Sequence, residues 1–171
     1  RIARRQRQMC IRDRLNIGVS EMADKISQTR TVSPQEAKTA ITHCLALKRP
    51  VMVWGAPGIG KSDIVKQIGN DAKREVIDIR LPLWEPTDIK GIPFFNSKSN
   101  TMEWAPPAEL PSDPKSKAIL FLDELNSAPP SVQAAAYQLI LNRRVGTYKL
   151  PEGVSIVAAG NRETDKGVTY R

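Results

Sequence analysis

A chain of 171 residues with 40% apolar side chains can bury one core of ordinary size but not comfortably two, so one domain or a piece of a larger one is expected. The formal net charge is +8, yet residues 1–14 alone supply +5 through six arginines against Asp13, leaving +3 over the other 157 residues. That distribution argues against the basic folded face of a nucleic-acid binder. No run approaches about 18 consecutive apolar residues, and Cys10 and Cys44 form neither a disulfide framework nor a zinc spacing, so a cytoplasmic protein with no membrane span is expected.

The leader RIARRQRQMCIRDR has no apolar run of signal-peptide length and no small-residue cleavage site. Its RQRQMCIRDR portion resembles translated adapter sequence from the ends of metagenomic reading frames, so residues 1–14 are expected to be a non-native or disordered leader. The first element opens at SPQEAKTAITHCLALK. Ser33 as N-cap, Pro34 at the first helical position and Glu36 three residues after the cap make a capping box. Ala37, Ala40, Ile41, Cys44 and Leu45 then recur at three- and four-residue spacing, which predicts one buried face. His43, the sole histidine, lies just off that stripe with no Cys or His cluster around it, and a solvated helix position is expected.

Pro50 ends the helix, VMVW begins a short strand, and GAPGIGKS leads into a second helical stretch, DIVKQIGNDAK. EVIDIRLPL reads as a strand and residues 84–117 as a long irregular region, within which IPFF and TMEW flank NSKSN as a β-hairpin. Strand AILFLD follows, then a helix from about Pro130 to Asn142 with Val132, Ala136, Leu139 and Ile140 inward. RRVGTYKLP suggests a second small hairpin, and GVSIVAAGN a last buried strand. Apolar strands alternating with amphipathic helices predict an α/β fold with a mostly parallel sheet. Ligands bind such sheets at the carboxyl ends of the strands, where GAPGIGKS, Asp123, Glu124 and Asn161 all fall.

Gly55, Gly60, Lys61 and Ser62 match G-x-x-x-x-G-K-[ST], with a strand before and a helix after. Glycine lets the backbone wrap close to phosphate with its N–H groups inward, and the following helix presents its positive end. Gly55, Ala56, Pro57, Gly58, Ile59, Gly60, Lys61, Ser62 and Asp63 are therefore the candidate nucleotide-binding residues. Lys61 can reach the β- and γ-phosphates and Ser62 can ligate magnesium. An accidental match in a chain of this length is on the order of one in a hundred.

Asp123 and Glu124 end an apolar strand downstream of that loop. Asp123 is the candidate magnesium ligand, directly or through water, and Glu124 the candidate base for the water that attacks the γ-phosphate. A helix-dipole role for Glu124 is weaker, because the next helix starts near Pro130 and the dipole effect fades within a turn. Asn161 at the end of VSIVAAGN could orient that water or sense the γ-phosphate, with a strand-end turn as the competing reading.

With GAPGIGKS, ILFLDELNSAPPSVQAA and IVAAGN in that order, residues from about Ser33 to Asn161 resemble the AAA+ ATPases, most closely their MoxR-like branch. LPLWEPTDIKGIP is similar to that branch's acidic-glycine segment before a hairpin insertion, and DELNSAPP to its acid pair followed by an Asn, here Asn126, and a double-proline helix start. The resemblance implies a P-loop NTPase core of five strands, Lys61 and Ser62 as Walker A, Asp123 and Glu124 as Walker B, and Asn161 as sensor 1. It also implies ATP with Mg2+ as cofactors, a homo-oligomeric ring that is usually a hexamer, and remodelling or chaperone-like action, often with a von Willebrand A-domain partner. The family's pattern continues into an arginine finger and a helical lid. Neither Arg162 nor Arg171 matches those arginines in position, so residues 33–171 read as a core truncated before them. The isolated chain is accordingly expected to bind ATP weakly and hydrolyse it poorly, since a trans-acting arginine contributes orders of magnitude in rate.

Several readings stay open at this stage. Phe94, Phe95 and Trp104 could contact a partner near a ring pore, or pack within the hairpin or against the core. Glu85 and Asp88 could brace the nucleotide site or be solvated loop acids. A phosphate loop does not distinguish adenine from guanine, so ATP rests on the resemblance. A nucleic-acid motor or loader would show DNA-stimulated hydrolysis and a steep salt dependence, while a nucleotide-gated assembly module without turnover would have little need of Glu124.

Overall fold

The computed structural model describes residues 31–161. Residues 1–14, Arg162 and Arg171 lie outside that range. Four strands make one parallel sheet in the order β1 (Val51–Trp54), β8 (Ser155–Gly160), β5 (Ile119–Asp123) and β2 (Val76–Arg80). Among the described residues the sheet thus has four strands, against the five that the family resemblance implies. The register sets Val53 beside Ala159, Leu122 beside Ala158 and Ile79 beside Leu122. β5 and β8 are central and buried along their whole length, which is why they read as continuous apolar runs rather than alternating ones.

Because side chains alternate across a strand, the two inner strands serve two separate cores. Leu120, Leu122, Ile156 and Ala158 pack with Val132, Ala135, Ala136 and Leu139 of α4 (Pro130–Asn142). Ile119, Phe121, Val157 and Ala159 face Ile41 and Leu45 of α1 (Pro34–Ala46) and Val65 and Ile68 of α2 (Lys61–Asp71). Each fully buried Val, Leu, Ile or Phe among them contributes about 1.5–3 kcal/mol. Of the stripe expected on α1, Ile41 and Leu45 are buried, Ala37 and Cys44 half-buried, and Ala40 exposed, because the helix touches the sheet along one narrow line. His43 is exposed as expected, and Ile140 of α4 is half-buried at the rim of its core.

The structure departs from the sequence reading between residues 80 and 91. The strand expected to run to Leu83 stops at Arg80, and Leu81–Leu83 form a 3-10 turn; Pro82 has no N–H to continue a ladder. Within the region expected to be irregular lies α3 (Pro86–Lys90). It is too short to show a 3.6-residue period, and it is held by its start. Pro86 occupies the first helical position and the Glu85 N–H donates to Asp88 Oδ2 at 2.7 Å, one arm of a capping box. Glu85 and Asp88 therefore cap a helix, a role that neither sequence reading assigned them.

Ile92–Asn96 (β3) and Thr101–Ala105 (β4) form the expected hairpin, with Pro93 opposite Trp104 and Phe95 opposite Met102. Phe94, Phe95 and Trp104 are exposed and belong to neither core. Arg144–Val145 (β6) and Tyr148–Lys149 (β7) make the second small hairpin.

Candidate functional site

At the carboxyl end of β1 the Gly55 N–H donates to Gly160 O at 3.2 Å, the last link between the two strands before the loop turns away. The turn depends on Gly58 and Gly60, whose φ of 78° and 85° side chains rarely tolerate. Gly60 is the N-cap of α2 and offers it no side-chain cap. The helix starts two residues earlier than the sequence suggested, which brings Lys61 and Ser62 into its first turn. A helix start of this kind, with N–H groups uncapped and a positive dipole end, is suited to an anion.

Lys61 is buried, and its Nζ donates to Gly55 O at 2.8 Å, Ala56 O at 2.9 Å and Asn161 Oδ1 at 2.9 Å. The Ser62 hydroxyl donates to Asp123 Oδ2 at 3.3 Å, and the Glu124 N–H donates to Asp123 Oδ1 at 2.9 Å. Asp123 and Asn161 are buried with Lys61, an arrangement that only mutual hydrogen bonding makes tolerable. These side chains open on a cleft of ≈ 340 Å³ lined by Pro57, Gly58, Gly60, Lys61, Ser62, Asp63, Asp123, Glu124 and Asn161. Gly55 and Ala56 reach the site only through the carbonyls that hold Lys61, and Ile59 is an exposed loop side chain outside the lining.

Four further residues join this set without having been given a role from the sequence. Lys66, one helical turn beyond Ser62, and Arg80, at the carboxyl end of β2 in register with Asp123, line the cleft. The rule that strand ends line such sites would have found Arg80. Asn126 exchanges two hydrogen bonds with the backbone of Asn161, donating from Nδ2 to its carbonyl at 2.7 Å and accepting its N–H at 3.0 Å on Oδ1. Gln133 in turn donates to Ala128 O at 2.8 Å. The resemblance marks Asn126 as the Asn after the acid pair, but not its partner Asn161, which lies 35 positions away in another element. A larger groove of ≈ 820 Å³ runs along β2 and residues 108–118 and shares no lining residue with the cleft.

Chemically, the cleft joins a flexible cation, an uncapped helix start, a hydroxyl beside a carboxylate, and a second carboxylate. That combination suits a polyphosphate, a hard divalent cation and a water to be deprotonated. No group of three or more His, Cys, Asp or Glu side chains that could hold a metal ion is found among the described residues. No described helix is long and apolar enough to cross a membrane.

Comparison with known proteins bears on the fold and the family. Over 123 residues, 70% of its length, the chain is 30% identical to midasin of Giardia intestinalis, of which it spans 2%. Its fold is similar to a candidate ATPase of Cytophaga hutchinsonii (TM-score 0.55, 19% identity, covering 90% of this chain and 46% of that one). It is also similar to NtrX of Brucella abortus solved in complex with ADP (TM-score 0.52, 17% identity, 92% of this chain and 36% of that one). The chain thus spans less than half the length of each of these relatives, and the structural likenesses speak to the fold alone. The model of the ATPase family associated with various cellular activities (AAA) matches residues 50–171, from the first strand through the glycine loop and acid pair, and the chain belongs to that family.

Proposed function

We propose that the chain binds and hydrolyses Mg-ATP at this cleft and that hydrolysis drives remodelling of a protein partner, as in the MoxR-like branch. The observation that carries the proposal is the meeting of Lys61 with Asn161, 100 positions apart in sequence, at 2.9 Å beside Ser62, Asp123 and Glu124. Each of these side chains has a distinct place in phosphoryl transfer to water.

Lys61 Nζ donates to oxygens of Gly55, Ala56 and Asn161. An entering triphosphate offers it anionic oxygens, which make stronger, charge-assisted bonds. Transfer of Nζ toward the β- and γ-phosphates then releases Asn161 Oδ1 to hold the attacking water. Ser62 Oγ and Asp123 Oδ2, 3.3 Å apart, supply the two protein oxygens that would hold magnesium. When bound, the ion offsets the charge of the β- and γ-phosphate oxygens. Glu124 takes a proton from the water as its oxygen bonds the γ-phosphorus, and the bond from that phosphorus to the bridging oxygen breaks to leave ADP and phosphate.

A ring of identical subunits, usually six in this branch, a von Willebrand A-domain partner and a cytoplasmic setting complete the proposal. The exposed Phe94, Phe95 and Trp104 of the β3–β4 hairpin give such a machine a surface for its partner. The decisive experiment is Glu124→Gln in the full-length protein. Binding of ATP and magnesium should stay within about twofold, while hydrolysis falls by about 10²–10⁴, the usual worth of a positioned base. Hydrolysis that survives the substitution would place the base elsewhere.

A further inference from the structure

The ladder between β5 and β8 ends at Leu122 and Ala158. Beyond Asp123 the chain leaves the sheet at Glu124, whose φ of 55° and ψ of 38° lie in the left-handed region, at a cost of about 1–2 kcal/mol for a residue with a side chain. On the other side, the Gly55–Gly160 bond is the last from β1. Asn161 therefore stands one residue past the ladder while remaining only 7% exposed, and its backbone N–H and C=O need partners.

We infer that Asn126 is a positioning residue for the reaction, its side-chain amide serving as a substitute strand that holds Asn161 in line with β8. This rests on the reading of Asn161 as the residue that orients the attacking water. A carboxamide presents one donor and one acceptor in a plane, as a peptide unit does. Asn126 uses both on the same residue, at 2.7 and 3.0 Å. The left-handed turn at Glu124 is what brings position 126 back toward the sheet, so the strain at the proposed base and the support of Asn161 come from one backbone feature.

Two neighbours fit this role. A Cβ on Gly160 would come 2.9 Å from Asn126 Oδ1 and 2.8 Å from Met52 Cε, so the approach requires glycine there. Gln133 Nε2 donates to Ala128 O at 2.8 Å and to Asn126 O at 3.4 Å, tying the Asn126 backbone to the start of α4. From that anchor the line runs through Asn126 to Asn161 and on to Lys61 Nζ.

The test is steady-state kinetics of Asn126→Ala, Asn161→Ala, the double variant and Asn126→Asp in the full-length ATPase. Asn126→Ala should lower kcat by about 10²-fold, the worth of a misplaced catalytic group, with KM for ATP changed less than about threefold. On the Asn161→Ala background the same substitution should cost less than about twofold, the non-additivity of a shared pathway. Asn126→Asp loses the donor while its carboxyl is ionised and regains one donor and one acceptor when protonated. Its kcat relative to wild type should therefore rise by about tenfold between pH 8 and pH 5.5, because a carboxyl facing a carbonyl oxygen titrates above its ordinary range. A lowered Tm with unchanged kcat, additive losses in the double variant, or a flat relative pH profile would each overturn the inference. If Asn161→Ala itself keeps full kcat, the reading of Asn161 falls and this inference with it. If Asn161→Ala abolishes turnover and Asn126→Ala does not, this inference alone falls.

Discussion

Both ends of the parallel sheet are gathered by a cation, and the two cations behave differently. At the amino end Arg74 donates to the carbonyls of Lys117, Ala118 and Gly153 and to Ser155 Oγ, tying the approaches to β5 and β8 together behind β2. At the carboxyl end Lys61 donates to two loop carbonyls and to Asn161 Oδ1. The guanidinium is a rigid fork with donors in fixed directions, so four neutral acceptors can hold it in one place. Burial pulls its pKa below the ordinary guanidinium value. The ammonium is a point charge on a flexible stem, able to exchange neutral oxygens for a phosphate. Under the proposed function, therefore, Arg74 is a permanent staple at one end of the sheet and Lys61 a placeholder at the other.

The sharpest way to break this comparison is to remove each cation and measure both stability and nucleotide affinity. Lys61→Ala should weaken ATP binding by about 10³-fold, about 4 kcal/mol, as expected for loss of a buried charge-assisted contact, with Tm close to wild type. Calorimetry that finds unchanged affinity would remove Lys61 from the phosphate site. Arg74→Ala should do the opposite. Loss of its bonds leaves carbonyls at the foot of the sheet underbonded and should destabilise the fold by about 3 kcal/mol, while the folded fraction keeps its ATP affinity. Chemical denaturation and binding on the same samples would separate the two, and equal stability losses at both positions would erase the distinction.

What the sequence made legible follows the same division. The meeting of the glycine loop and the acid pair at the carboxyl ends of the strands could be anticipated because each is contiguous and each sits where an apolar strand ends. The sheet could be read for a related reason: β5 and β8 are buried on both faces, and a wholly apolar run is hard to place anywhere else. The roles of Arg74 and Asn126 were illegible because they are made by partners distant in the chain, as when Arg74 reaches Gly153 or Asn126 reaches Asn161. Glu85 and Asp88 are exposed, as one of the two readings had it, but their capping role was missed for a local reason. Their helix is one turn long, and its cap begins with Glu rather than the usual Ser, Thr, Asp or Asn.

The smallest effect tests the lysine and arginine contrast away from any site. α1 and α2 both end in a Schellman arrangement whose left-handed residue is lysine, Lys48 at φ 54° and Lys73 at φ 51°. After α2 the Lys73 N–H bonds Asn70 O at 3.1 Å and the Arg74 N–H bonds Gly69 O at 2.8 Å, the two links of that motif. Glycine would adopt the same conformation without the penalty of a side chain, so Lys73→Gly should stabilise the protein by about 1 kcal/mol, a rise in Tm of about 4 °C. Arg143 caps α4 at φ 54° and looks equivalent by backbone alone. Its guanidinium, however, donates to Pro151 O at 2.8 Å and Val154 O at 2.7 Å, stapling the segment that leads into β8. Arg143→Gly should therefore destabilise by about 1–2 kcal/mol, because two charge-assisted bonds outweigh the relief of strain. Opposite signs from one backbone conformation would show that here a lysine can be spared wherever it has no ligand to meet, while an arginine is held in place by the carbonyls it joins.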